Sequence, residues 1–265
     1  VAEPAAPPLV ALTGACVRYG ASGRQIGPVS LSIAPGEIVA VVGASGAGKS
    51  TLLRLLAGLE TAASGQVARR IAPGRIGFVF QSPTLAPWAD TLANVALPLE
   101  LTGVPRPQAR RRALDALDEV GLSGQGARLP HELSGGMAMR ASLARALVAD
   151  PELLLLDEPF AALDSANRRR LVAHVHEVWR RRRPAIVFVT HDVEEAVFLA
   201  HRLVVLGADG RITDQQDLPG PIPRPDDWRA SAGYRAAVEH TADALARALA
   251  GALVDALPPV SADPA

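Results

Sequence analysis

The chain has 265 residues, 49% of them apolar, and its 27 lysine and arginine residues balance 27 aspartate and glutamate residues for a formal net charge of zero. That length supports one large domain with a full hydrophobic core, and the neutral balance lacks the basic surplus by which nucleic-acid binders hold a polyanion. Apolar runs such as "IVAVVGA" and "LLLL" fall far short of the ~18 residues of a membrane-spanning helix. The opening "VAEPAAPPLV" carries no secretory pattern and Cys16 alone can form no internal disulfide, so a reducing cytoplasm is the expected compartment.

After the Pro/Ala-rich start, alternating apolar positions at 9 to 19 and 29 to 33 predict strands, with "APGE" at 34 to 37 as a turn between two of them. "EIVAVVG" is a continuous β-branched run suited to a strand buried on both faces, and it leads through a glycine loop into the helical spacing of "KSTLLRLLAGL". "RIGFVF" predicts another strand, after which residues 91 to 149 lose the β pattern for helical runs such as "QARRRALDALDEVGL" and "GGMAMRASLARALVA". β/α alternation resumes with "ELLLLDEP", a helix near 166 to 182, "AIVFVT", a helix near 192 to 200 and "RLVVLG", the order of a parallel sheet covered by helices. The main domain is expected over 9 to 215, with a helical subdomain at about 84 to 150. Residues 216 to 265 read as a proline-rich linker and an amphipathic helix with apolar positions at Tyr234, Val238, Leu245, Leu249 and Leu253. The arginine runs at 110 to 112, 168 to 170 and 180 to 183 read as solvated helix faces.

The chemistry concentrates in "GASGAGKS", where Gly43, Gly48, Lys49 and Ser50 satisfy Gly-x-x-x-x-Gly-Lys-Ser between a buried strand and a helix. Glycines let the backbone turn its N–H groups inward as an anion nest, and the helix N-terminus adds positive potential. The cradle runs through Gly43, Ala44, Ser45, Gly46, Ala47, Gly48, Lys49, Ser50 and Thr51, with Lys49 on the β- and γ-phosphates and the Ser50 hydroxyl on Mg²⁺. Lys49 is the only lysine in a chain whose other basic residues are all arginine. A compact ammonium fits a tight loop in which a planar guanidinium does not, so chemistry overrides the arginine bias here. Asp157 and Glu158 follow a buried strand, where an open sheet presents its functional carboxylates; Asp157 is assigned to the metal and Glu158 to the attacking water. In "LSGGM" Ser134 is an N-cap, and Gly135 and Gly136 leave N–H groups free at a second helix start.

Taken in order, these segments resemble the ATP-binding subunits of ABC transporters over roughly residues 9 to 215. Tyr19 resembles the aromatic that stacks on adenine, 43 to 51 the Walker A loop, Gln81 the Q-loop glutamine that also reaches the metal, and 133 to 137 the signature. "LLLLDEP" resembles Walker B, "AALD" ending at Asp164 the D-loop, and His191 in "VTHD" the switch histidine on the γ-phosphate. The signature departs from the family at Met137, where glutamine is usual. The resemblance implies an α/β P-loop NTPase core with an N-terminal antiparallel β subdomain and a helical subdomain. It also implies ATP and Mg²⁺ as ligands and a head-to-tail homodimer with two composite ATP sites. Leu85, Pro87 and Trp88 resemble the nitrate/sulfonate/taurine type of import ATPase. Such a subunit works on the cytoplasmic face of the inner or plasma membrane with separate permease subunits, served indirectly by an extracytoplasmic solute-binding protein. Importers of thiamine-pyrimidine precursors and soluble non-transport ABC ATPases are the alternative readings. A P-loop kinase leaves the signature, Asp164 and His191 unexplained.

Overall fold

The computed structural model describes residues 7 to 20, 23 to 161 and 163 to 256, with side chains as far as 250. Strands β1 (Val10–Arg18), β2 (Gln25–Ile33) and β4 (Ser64–Arg69) form an antiparallel sheet in the order β2-β1-β4. A second sheet runs β5-β6-β7-β3-β8-β9 through β5 (Ile76–Val79), β6 (Leu153–Asp157), β7 (Ala185–Val189), β3 (Ile38–Gly43), β8 (Arg202–Leu206) and β9 (Ile212–Asp217). All its pairings are parallel except β8 with β9.

Every residue of β3, β6 and β7 is buried, as the unbroken apolar runs predict for strands covered on both faces. Alternation then divides the core. Ile38, Ala40 and Val42 face a cluster with the helices, whereas Val39 and Val41 face the small antiparallel sheet and helix α1 (Lys49–Ala57). The helical segment comprises α2 (Thr91–Leu101), α3 (Arg106–Glu119) and α4 (Gly135–Leu147), which pack on one another through Val95, Ala113 and Leu143. Helices α5 (Ser165–Arg182) and α6 (Val193–Leu199) supply the connections after β6 and β7.

Strands β4 and β9 are absent from the pattern reading. β4 is an edge strand exposed at five of its six positions, and β9 is polar at nearly every position, so neither shows an apolar alternation. The arginine runs are mostly solvated, but Arg112 donates to Val148 O at 2.9 Å, Arg168 enters an ion-pair cluster, and Arg182 donates to Leu147 O at 3.0 Å and pairs with Glu119, so these depart from the expectation. The tail forms a helix, α7 (Ala232–Ala256), in which the predicted Tyr234 is buried and Val238 and Leu245 pack against the core, with Ala237, Thr241 and Ala244 buried beside them. Leu249 is 44% exposed and belongs to the outer face, a correction to the predicted stripe. The Leu253 side chain lies outside the described residues.

One arginine fastens this tail. Arg224 is 3% exposed; its guanidinium donates to Phe198 O and Ala200 O at the end of α6 and to Leu218 O and Pro219 O, and it lies 4.4 Å over the Trp228 ring. Burial lowers its pKa to about 10, which still leaves it charged at neutral pH. Arg224→Leu strands those carbonyls and is expected to destabilise the protein by about 3 kcal/mol. Urea unfolding followed by circular dichroism checks this, and an unchanged midpoint would remove the clasp role.

Candidate active site

Parallel strands bring their C-terminal ends to one edge. Register aligns Asp157 with Val189 and Val41 with the same Val189, so the loops after β3, β6 and β7 open side by side. The Walker-type loop turns at Gly46 and Gly48, both in the left-handed region at φ 76° and 94°. At Gly48 an added Cβ would also lie 2.5 Å from Ile26 Cγ2, so glycine is required for conformation and for space. Gly48 caps α1 without a side-chain bond, leaving the first N–H groups of the helix free to point at an anion.

Lys49 is 7% exposed and curls back into the loop, where Nζ donates to Gly43 O at 2.9 Å and Ala44 O at 2.8 Å. Burial lowers its pKa, while the nearby Glu158 and Asp157 pull it back up. Ser50 Oγ donates to Asp157 Oδ1 at 3.0 Å. The Asp157 carboxyl is pushed up by burial, drawn down by the Ser50 hydrogen bond and pushed up again by Glu158. A buried carboxylate and a hydroxyl held together are hard oxygen donors, the set that suits Mg²⁺ with its remaining positions in water, and a cation there would offset the cost of the buried charge.

Glu158 sits one residue past the strand with φ 46°, and its N–H donates to Val189 O at 3.0 Å. A left-handed backbone at a non-glycine residue costs on the order of 1–2 kcal/mol. The kink turns the carboxylate out of the sheet edge, where Oε2 accepts from Gln81 Nε2 at 3.2 Å and lies 3.7 Å from His191 Nδ1. His191 is exposed, on the loop between β7 and α6. Tyr19 OH is 2.8 Å from Thr51 Oγ1, which lays the ring against the start of α1 while 40% of the residue stays exposed.

The signature segment stands apart. Ser134 caps α4 by accepting from Met137 N at 3.3 Å, and among the described residues no hydrogen bond or ion pair joins Ser134, Gly135 or Gly136 to the Lys49 cluster. Ser134 and Gly135 are exposed, which suits a surface completed by a second copy. An added Cβ at Gly136 would lie 2.9 Å from Asn167 Cγ, because the starts of α4 and α5 approach closely there. Met137 turns its side chain against the helical core, so only its backbone N–H serves the loop. In the D-loop segment, Asp164 caps α5 by accepting from Ala166 N and Asn167 N; Ala162 lies outside the described residues. The pattern reading passed over Thr190, Glu195 and Arg168, whose contacts surround His191; a polar Thr-His-Asp run followed by Glu at a helix start was the available signal.

The ABC transporter family model matches residues 26–161. The aliphatic sulfonates import ATP-binding protein SsuB of Mycobacterium sp. (strain MCS) is 47% identical over 216 residues, covering 82% of this chain and 86% of its own length. SsuB 2 of Pseudomonas syringae pv. syringae (strain B728a) is 50% identical over 205 residues, 77% of this chain and 72% of its own. Among solved structures, a dimeric ATP-binding cassette in a post-hydrolysis state bound to ADP and Pi aligns with a TM-score of 0.70 at 31% identity, over 80% of this chain and 100% of its own. With its phosphate loop, paired acids, glutamine and histidine gathered on one sheet edge, the chain belongs to the ABC transporter ATP-binding family.

Proposed function

We propose that this chain is the ATP-hydrolysing subunit of an importer for aliphatic sulfonates, working as a head-to-tail homodimer beneath a transmembrane permease. The observation that carries the ATPase reading is the gathering at the sheet edge of the Ser50–Asp157 pair and of Glu158 with Gln81 and His191, beside a phosphate loop into which Lys49 is folded. Gly43 through Thr51 cradle the phosphates, Tyr19 takes the adenine, and Ser134, Gly135 and Gly136 close over the γ-phosphate of the partner's ATP. Ser50 and Asp157, joined by Gln81 as the family resemblance implies, would hold Mg²⁺, which would supply charge neutralisation for the phosphates. Glu158 orients a water and receives its proton as the water attacks the γ-phosphorus; the bond from that phosphorus to the β–γ bridging oxygen breaks, ADP leaves with the electron pair and phosphate is formed, while Lys49 and His191 steady the charge on the transferring oxygens. Neither copy alone encloses the γ-phosphate, so closure of the dimer both excludes water and completes the site.

The sulfonate assignment is supported by the names of relatives that are 47% and 50% identical to this chain over the aligned 216 and 205 residues. Among the described residues no helix is long and apolar enough to cross a membrane, which suits a peripheral subunit on the cytoplasmic face, and an extracytoplasmic solute-binding protein would deliver the cargo. Trp88 is 84% exposed and does not pack into the helical segment, so its ring is free to meet a permease helix. In this reading residues 9 to 215 form the motor, with about 84 to 150 as its helical subdomain and 216 to 265 as a proline-rich linker and an amphipathic helix. Deleting the gene is expected to abolish growth on an alkanesulfonate as sole sulfur source while growth on sulfate continues. Normal growth on the sulfonate would sink the cargo assignment.

A further inference from the structure

His191 sits on a loop whose two neighbours are both tied down. Thr190 Oγ1 donates to Glu195 Oε2 at 2.9 Å and accepts from Asp192 N at 3.0 Å, while Asp192 Oδ1 accepts from Glu195 N at 3.1 Å. This ring lies within residues 190 to 195 and holds the backbone on either side of the histidine. Arg168 reaches it from another element. Its Nη1 is 3.4 Å from Asp192 Oδ2 and its Nε 3.3 Å from Glu195 Oε1.

Arg168 stands on the first turn of α5, and its own N–H donates to Asp164 O at 2.9 Å. One helical turn therefore joins the D-loop aspartate to the histidine loop. The Arg168–Glu195 contact is close enough to attract, yet neither Arg168 Nε nor Glu195 Oε1 makes a directed hydrogen bond, although both atoms are buried. Buried polar atoms in that condition are uncommon, and each costs roughly what a lost hydrogen bond costs. A small displacement of α5 against α6 would align the two groups. Glu195 is 6% exposed; burial and Asp192 raise its carboxyl pKa, against which the Thr190 hydrogen bond and then Arg168 lower it. The other ion pair reaching α6, Arg229 to Glu194 at 3.9 Å, lies on the exposed rim and touches no member of the ring.

We propose that Arg168 is a positioning residue which, through Asp192 and Glu195, transmits movement of the D-loop end of α5 to His191 and so sets the histidine against Glu158 and the γ-phosphate. The inference rests on the ATPase reading above. Its action is on turnover rather than on nucleotide binding, because Arg168 touches neither the phosphate loop nor the adenine side of the site.

The test uses the full-length chain. Arg168→Ala is expected to lower kcat about 10- to 100-fold, the effect of a modest misplacement of a reacting group, with the KM for Mg-ATP within about twofold of the parent. The imidazole NMR signals of His191 should shift and broaden in the ATP-bound state while those of His240 stay in place. Arg168→Lys should recover part of the loss, since an ammonium can serve one acid but not both. Arg168→Ala combined with Glu195→Gln should be no slower than Arg168→Ala alone, and Arg229→Ala should leave kcat within about twofold. Unchanged kcat, or a fall accompanied only by lower thermal stability with His191 signals unmoved, would overturn the proposal. The His191 signals decide the matter even if the isolated chain binds ATP without turning it over. A parent chain that binds no ATP would instead refute the reading beneath it.

Discussion

Glu158→Gln is expected to slow ATP hydrolysis by roughly two to four orders of magnitude while Mg-ATP still binds, the loss that follows removal of a positioned general base. The amide keeps the size of the carboxylate and can still accept from Gln81, which donates to Glu158 Oε2 at 3.2 Å, but it cannot take a proton from water. Because bound ATP then persists, the variant should accumulate as a dimer. Light scattering after size exclusion should show an ATP-dependent doubling of mass, lost when the metal is chelated. Turnover near that of the parent would remove Glu158 from the base role. Binding without dimerisation would show that Ser134, Gly135 and Gly136 need the permease to bring two copies together.

Replacing Lys49 by arginine should weaken ATP binding by about 10- to 100-fold although the charge is kept, equivalent to one charge-assisted hydrogen bond. Lys49 is 7% exposed and its ammonium already donates to Gly43 O at 2.9 Å and Ala44 O at 2.8 Å, so it occupies a pocket suited to a compact head group. A guanidinium would have to displace the loop carbonyls or leave the cradle, and either move misplaces the phosphate contacts. Fluorescence titration with a labelled ATP analogue measures the effect. Unchanged affinity would mean that the single lysine of the chain has no steric reason to be one.

Local chemistry made most of the site legible before any fold was known. The phosphate loop is a contiguous spacing of glycines, lysine and serine, and Asp157 and Glu158 are marked by the buried leucine run that precedes them. The buried strands also declared themselves, because β3, β6 and β7 are apolar throughout. Edge elements did not: the single partly buried side chain of β4, Val67, cannot make an alternation, and β9 spends its inward positions on Ile212, Asp214 and Gln216. The buried stripe of the tail helix was legible in part: Tyr234 is buried and Val238 and Leu245 pack against the core, but Leu249 is exposed and Ala237, Thr241 and Ala244, which carry no marked apolar pattern, fill the space beside β8 and β9. Contacts between distant segments were the least legible. Gln81 to Glu158, Arg168 to Glu195 and Tyr19 to Thr51 each depend on how the loops and helices that follow different strands come to rest. Met137 shows the same limit, because only the packing of α4 decides whether its side chain faces the loop or the helical core.

The left-handed backbone at Glu158 (φ 46°) sets durability against output at a single position. Glycine would hold that turn without strain and would leave the β6 hydrogen bonds intact, so selection for a hardier chain alone would discard the carboxylate. Thr84, Asp150 and Arg183 share that backbone, but of the four only Glu158 has its carboxylate at the candidate site, where the proposed base role would justify the strain. Searches for stabilised forms of this chain should therefore hold position 158 fixed, because the glycine that relaxes the backbone there is also expected to stop hydrolysis under the proposed role of the carboxylate.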